Sequence, residues 1–129
     1  MSHFTTVETK IQCFVTLKKV IEELGYSFLE GQTKVRGYQG ELTDAIAVID
    51  TKSSYDLGVV KTQTGYSFVG DWDMLQVRAG LEKDELLKNV NKRYAYHKVM
   101  DEVKKRGYSV VDEQTSEQQV VTVKVRRFA

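Results

Sequence analysis

Four short stretches of this chain hold side chains capable of chemistry. In DWDML, Asp71 and Asp73 flank the only tryptophan, Trp72. On a strand end, alternate positions share a side, and two carboxylates there suit metal ligation or general acid–base work. No third ligand stands at a matching spacing, so a turn-forming pair with Trp72 in the core is the simpler expectation. In YAYH, Tyr94 to His97, helical spacing puts Tyr94 and His97 on one face and Tyr96 toward its edge. A single histidine without Cys, Asp or Glu at ligand spacing is weak ground for a metal. His97 therefore reads as a core histidine bonded to a carbonyl or a tyrosine. The sharper alternative makes it a polar group at the floor of a helix–sheet pocket.

KVRGYQG, Lys34 to Gly40, combines two cations, a tyrosine and two glycines. Lys34 and Arg36 suit a phosphate, Tyr38 suits stacking, and Gly37 and Gly40 open backbone amides to an anion. The plainer reading is a strand with a bulge at Gly37 and a turn at Gly40. The Gly-Lys-Ser/Thr ending of a phosphate-binding loop is missing. Cys13 precedes a helical pattern, where a helix N-terminus favours thiolate chemistry, but no base partner is visible and a structural role is preferred. No Ser-His-Asp logic, CxxC or HExxH pattern stands in the sequence. The candidate ligand-binding set is Lys34, Arg36, Tyr38 and His97. The expectation names no catalytic residue, metal or cofactor, and does not favour an enzyme.

These residues must be held by regular elements. The longest helical rhythm runs from Leu81 to Gly107. Leu86, Val90, Tyr94, His97 and Met100 fall on one side, with Leu87 and Val103 flanking. Glu82, Asp84 and Glu85 suit its first turn, Lys104, Lys105 and Arg106 its last, and Gly107 a left-handed stop. A stripe that wide must be buried, and a sheet is the expected partner. A shorter helix is signalled by Phe14, Leu17, Val20, Ile21 and Leu24, ending at Gly25.

Strands are expected at His3–Gln12, Tyr26–Leu29, Thr33–Tyr38 and Ala45–Asp50. A hairpin of Tyr55–Lys61 and Tyr66–Asp71 follows, and a second pairs Tyr108–Asp112 with Val120–Phe128. In the last strand Val121, Val123 and Val125 alternate with Thr122, Lys124 and Arg126, giving one wet face. IEELGYSFLEGQ and VKKRGYSVVDEQ echo one another. We read the echo as one helix–glycine–strand junction used twice rather than as a duplication, because the flanks do not align. The expected fold is α+β: one domain, residues 1–129, a two-layer sandwich of mainly antiparallel sheet with two helices on one face.

The totals narrow the function classes. A length of 129 residues suits one core of moderate size. A net charge of +1 gives no global pull toward nucleic acid or anionic membrane. One cysteine excludes an internal disulfide framework and favours a reducing compartment. No apolar run reaches the ~20 residues of a membrane helix, and the N-terminus has neither secretory nor transit character. The expected location is the cytoplasm, or the plastid stroma for a plastid gene.

Taken in order, MSHFTTVETKI, TKVRGYQG, YDLGVVK, GDWDM, KRYAYHKV and VKVRRF resemble the hypothetical chloroplast reading frame thirty-five family of cyanobacteria and algal plastids. The resemblance covers nearly the whole chain and rests on order and spacing, not on one motif. The chain departs from it in GDWD, where an alanine is expected before the first aspartate, and in RRFA, where a tryptophan is common. The resemblance implies a soluble protein of photosynthetic lineages, with no catalytic residue to carry over. The expected function is binding of a partner protein, in assembly or regulation, through a sheet face with Lys34, Arg36, Lys124, Arg126 and Arg127. A small-molecule or anion binder is the alternative; single-stranded nucleic acid is third, with the near-neutral charge against it.

Overall fold

Glycine stops set the reach of the helices. Helix α1, Phe14–Glu23, ends where Gly25 takes φ +94°. There the Gly25 amide donates to Glu22 O and the Tyr26 amide to Ile21 O, satisfying two orphan carbonyls. Gly107, at φ +78°, closes the long helix in the same left-handed way. Both halves of the echo are thus helix–glycine–strand junctions. The computed structural model describes residues 3–115 and 121–127.

In chain order the elements are β1 (Thr5–Ile11), α1, β2 (Ser27–Leu29), β3 (Lys34–Arg36), β4 (Leu42–Asp44), β5 (Ala47–Asp50), β6 (Leu57–Thr62), β7 (Gly65–Gly70), α2 (Trp72–Ala79), α3 (Lys83–Lys105), β8 (Tyr108–Thr115) and β9 (Val121–Arg127). The fold is α+β and every strand pair is antiparallel. It has three helices where the sequence suggested two. The chain divides into two compact units, Met1–Asn91 and Lys92–Ala129.

In the first unit a five-stranded sheet has the order β1-β7-β6-β5-β2. The consecutive strands β1 and β2 form its opposite edges, so α1 must cross a face to join them. That face carries Ile49, Leu57, Val59 and Phe68, each at most 1% exposed. Phe14 of α1 meets Phe28 of β2 and Tyr66 of β7, with ring centroids 5.5 and 5.3 Å away. Leu17, Val20 and Ile21 complete the buried side of the helix. Each such side chain contributes about 1.5–3 kcal/mol on burial.

The other face, with Val48 and Val69, is not left to water. The β3–β4 ribbon lies on it, and Val35 packs with Ala45, Val48 and Val69 in one apolar cluster. A Cβ on Gly58 would stand 2.4 Å from Val35 Cγ2 and 2.8 Å from Val69 Cγ1. Gly58 therefore lets the ribbon approach the sheet. The first unit has three layers; of the ribbon, the sequence offered β3 within Thr33–Tyr38 but not its partner β4.

Helix α3 begins at Lys83. Both Glu82 oxygens accept from its first turn: Oε1 from the Asp84 amide and Oε2 from the Glu85 amide. Leu86 and Val90 are buried within the first unit. The second unit holds the rest of α3 and the β8–β9 hairpin, whose register shifts between Val110 and Asp112. In it His97 is 9% exposed and Tyr94, Met100 and Val103 are half-buried.

Candidate functional site

Strand alternation sorts β3. Val35 turns inward, while Lys34 and Arg36 turn outward, with side chains 59% and 49% exposed. Opposite them on β4 stand Asp44 and Leu42. Lys34 Nζ pairs with the Asp44 carboxylate. Leu42 is 59% exposed, and Tyr38, in the turn Tyr38–Gly40 beyond β3, is 39% exposed. The ribbon thus presents Arg36 and Leu42 on its outer face, with Tyr38 exposed in the turn that joins its strands.

Arg36 is held rather than mobile. Its Nε donates to Asp56 Oδ2 at 2.8 Å and its Nη2 to Asp56 Oδ1 at 2.9 Å. Nη2 also donates to Ser53 O at 3.0 Å, and the Arg36 amide donates to Asp56 Oδ2 at 2.9 Å. The hydrogen bond to Asp56 raises the guanidinium pKa above its ordinary value, against the opposing effect of burial. Nothing local marked Asp56 as the partner, twenty residues on.

The glycines of KVRGYQG serve other ends than a bulge. Gly37 is extended, with its amide donating to Glu41 O at 2.8 Å. A Cβ there would fall 2.4 Å from Phe4 Cζ, so a side chain at this position would require the Phe4 ring to move. Gly40 makes the turn at φ +79°.

Asp71 directly follows β7, but Asp73 lies in α2, so the two do not share a strand end. Asp71 is the N-cap of α2, its Oδ1 accepting from the Met74 amide at 3.2 Å, and Asp73 lies exposed in the first turn. Positions two apart on a helix do not face each other, which removes the shared-ligation geometry. Asp71 is 2% exposed, and its Oδ2 is buried without a hydrogen-bond partner. Trp72 is half-buried rather than in the core, and its indole N–H donates to Thr5 O at 2.9 Å. The signals of α2 were present in the sequence: an Asp cap, Arg78 in the last turn and Gly80 in a left-handed stop. Among the described residues, no group of three or more His, Cys, Asp or Glu could hold a metal ion.

Cys13 occupies the N-cap of α1 and accepts at Sγ from Thr16 Oγ1 at 3.2 Å. In the second unit His97 meets Tyr96 edge-on, centroids 5.3 Å apart. The Arg93 guanidinium lies 4.8 Å over the Tyr96 ring, and the Tyr96 hydroxyl donates to Glu113 Oε2 at 2.7 Å. Lys34, Arg36 and Tyr38 are thus neighbours on the ribbon; His97 belongs to the other unit. A cleft of about 160 Å³ in the first unit is lined by Leu24, Tyr26, Leu81, Glu85, Leu86 and Asn89 among others. None of the ribbon residues lines it.

The chain matches the family model described as "Protein of unknown function (DUF1257)" over residues 20–124. It is similar to "Uncharacterized protein ycf35" of Guillardia theta, 27% identical over 99% of this chain and 98% of the relative. It is likewise similar to the proteins of that name in Cyanophora paradoxa, at 25%, and Pyropia yezoensis, at 23%, with the same coverage. No solved structure matches the chain. Among the described residues, no helix is long and apolar enough to cross a membrane.

Proposed function

The chain belongs to the DUF1257 family, and on that premise we propose that it is a non-enzymatic factor that binds another protein, in assembly or regulation within photosynthetic lineages. Its place of action is the cytoplasm, or the stroma for a plastid gene. One observation carries this reading: the outer face of the β3–β4 ribbon displays Leu42 opposite an arginine fixed by Asp56 and Ser53, with Tyr38 exposed in the adjoining turn. Tyrosine and arginine are the residue types that dominate protein interfaces. An anchored guanidinium loses little further entropy on docking.

The test is affinity capture from a photosynthetic cell with wild-type chain and a Tyr38→Ala/Leu42→Ser variant. Both side chains are exposed, so the variant keeps its fold. A stoichiometric partner held by wild type and lost by the variant supports the reading. Equal recovery by both ends it.

A second reading, a small-molecule or anion binder, is favoured by one feature. Lys34 and Arg36 share the outward face of β3 and remain about half exposed although ion-paired. Phosphorylated metabolites or nucleotides should then raise the melting temperature of wild type but not of Lys34→Ala. No shift in wild type rejects it.

A further inference from the structure

The two outer edges of the β3–β4 ribbon differ. The Gly37 amide donates to Glu41 O and the Ala45 amide to Thr33 O, which fixes how the two strands bond. In an antiparallel pair, bonded and non-bonded positions alternate. Thr33, Val35 and Gly37 therefore bond across to Ala45, Thr43 and Glu41. The main-chain groups of Lys34, Arg36, Leu42 and Asp44 point away from the ribbon instead. Arg36 shows this directly. On the β3 edge its amide donates to Asp56 Oδ2, and its carbonyl accepts from the Asp56 amide at 3.1 Å.

Asp56 thus closes the β3 edge, while the β4 edge has no such cover. Strand β4 pairs with β3 alone. Among the described residues, no other group bonds to the N–H or C=O of Leu42 or Asp44. The side chains there are open too: Leu42 is 59% exposed and the Asp44 side chain 82%.

We propose that the free edge of β4 takes an extended segment of a partner protein as an added strand, with the residue order basic, any, apolar. This rests on the docking reading above and names the kind of partner it implies. An unpaired edge selects an extended chain because its N–H and C=O groups are spaced to bond another strand. Leu42 and Asp44 each offer one donor and one acceptor, about 6.8 Å apart. Antiparallel pairing sets one partner residue beside Leu42 and another, two positions earlier in the partner, beside Asp44. On the outer face one row then runs Arg36, Leu42, partner, and an apolar side chain there covers Leu42. The other row runs Lys34, Asp44, partner, and a cation there completes an alternation of plus, minus and plus. A second copy of this chain does not fit. The one antiparallel register that uses both outward residues of two β4 strands sets Leu42 against Asp44.

The test is an amide NMR titration of the purified full-length chain with a capped synthetic peptide, Thr-Lys-Thr-Val-Thr, at millimolar concentration. Its counterpart carries Glu in place of Lys. With the lysine peptide the Leu42 and Asp44 amides should shift downfield and saturate, while the Arg36 amide on the closed edge moves little. The glutamate peptide should bind about fivefold more weakly. Asp44→Ala should keep the binding and remove that preference. Asp44→Pro deletes an outward N–H but no bond within the ribbon, and should lose both peptides. The proposal is overturned if Leu42 and Asp44 show no saturable shift, if wild type binds both peptides equally, or if Asp44→Pro binds like wild type. Should proline disturb the ribbon, a preference that persists in Asp44→Ala overturns it alone. In the affinity capture, a partner lost by Tyr38→Ala/Leu42→Ser but kept by Asp44→Pro leaves the docking reading standing and removes this one.

Discussion

Arg36 and Asp56 form a two-pronged ion pair whose two ends sit in different environments: the arginine side chain is 49% exposed and the carboxylate 3%. The pair ties the β3–β4 ribbon to the start of β6. A ribbon of two three-residue strands has too little pairing to stand alone. It is attached by this pair, by the Asp56 amide donating to Arg36 O at 3.1 Å, and by burial of Val35.

The asymmetry of the pair predicts an order of effects. Arg36→Ala leaves a buried carboxylate with one remaining amide donor, at a cost of about 3 kcal/mol. Asp56→Ala frees a guanidinium that water can reach, and should cost about 2 kcal/mol. The double variant should lose less than the two singles together, measured by urea unfolding; strict additivity would show that the two do not act as a pair. Because the Arg36 pKa is raised, the stabilisation is complete below the unfolded arginine value and lost only above the folded one. No working alkaline pH should release the ribbon.

Gly58 sits where the ribbon and sheet touch. Gly58→Ala should cost about 2 kcal/mol or more, since its methyl would overlap Val35 and Val69. Gly58→Ala combined with Val35→Ala should recover part of that loss. Failure of the smaller residue to relieve the strain would count against the packing described.

Asp71 combines a useful cap with an unpartnered oxygen. Asp71→Ala should cost ~1 kcal/mol through loss of the bond to the Met74 amide. Asp71→Ser keeps a capping oxygen and removes the orphan, so it should be at least as stable as wild type. Thermal unfolding separates the two, and equal losses would mean that Oδ2 has a partner.

Glu102 is held below the usual carboxylate range, chiefly by its hydrogen bond to Arg106 and then by the charge of that residue. A depressed folded pKa gives stabilisation that is present above the unfolded value and lost as pH falls through the folded one. An NMR titration should place Glu102 below a free glutamate, and Arg106→Ala should return it upward. An unchanged midpoint in the variant would sink the assignment.

The second unit, with 38 residues, is below the size at which a chain without disulfide or metal usually folds alone. It shares α3 with the first unit. A single transition is expected, with Trp72 fluorescence and helical circular dichroism coinciding on heating. Two separated transitions would divide the chain into independent domains.

The amino-acid order alone determined what local periodicity and local stops can specify. It located α3 and both its ends, because its acidic start, basic finish and Gly107 act within a turn or two of themselves. It gave the helix–glycine–strand junctions at Gly25 and Gly107 for the same reason; in β9 Thr122, Lys124 and Arg126 are exposed as expected, but Val125 is exposed with them. Helix α2 was equally legible from Asp71, Arg78 and Gly80, and was missed because two aspartates two apart also fit a strand end. Only the tertiary structure decided which residues meet. Phe4 explains Gly37 and Val35 explains Gly58, although neither is a sequence neighbour. Asp56 takes the arginine that a lone motif offered to an anion. Periodicity fixes which way a side chain faces along its own element; strand order and long-range packing decide what it then touches.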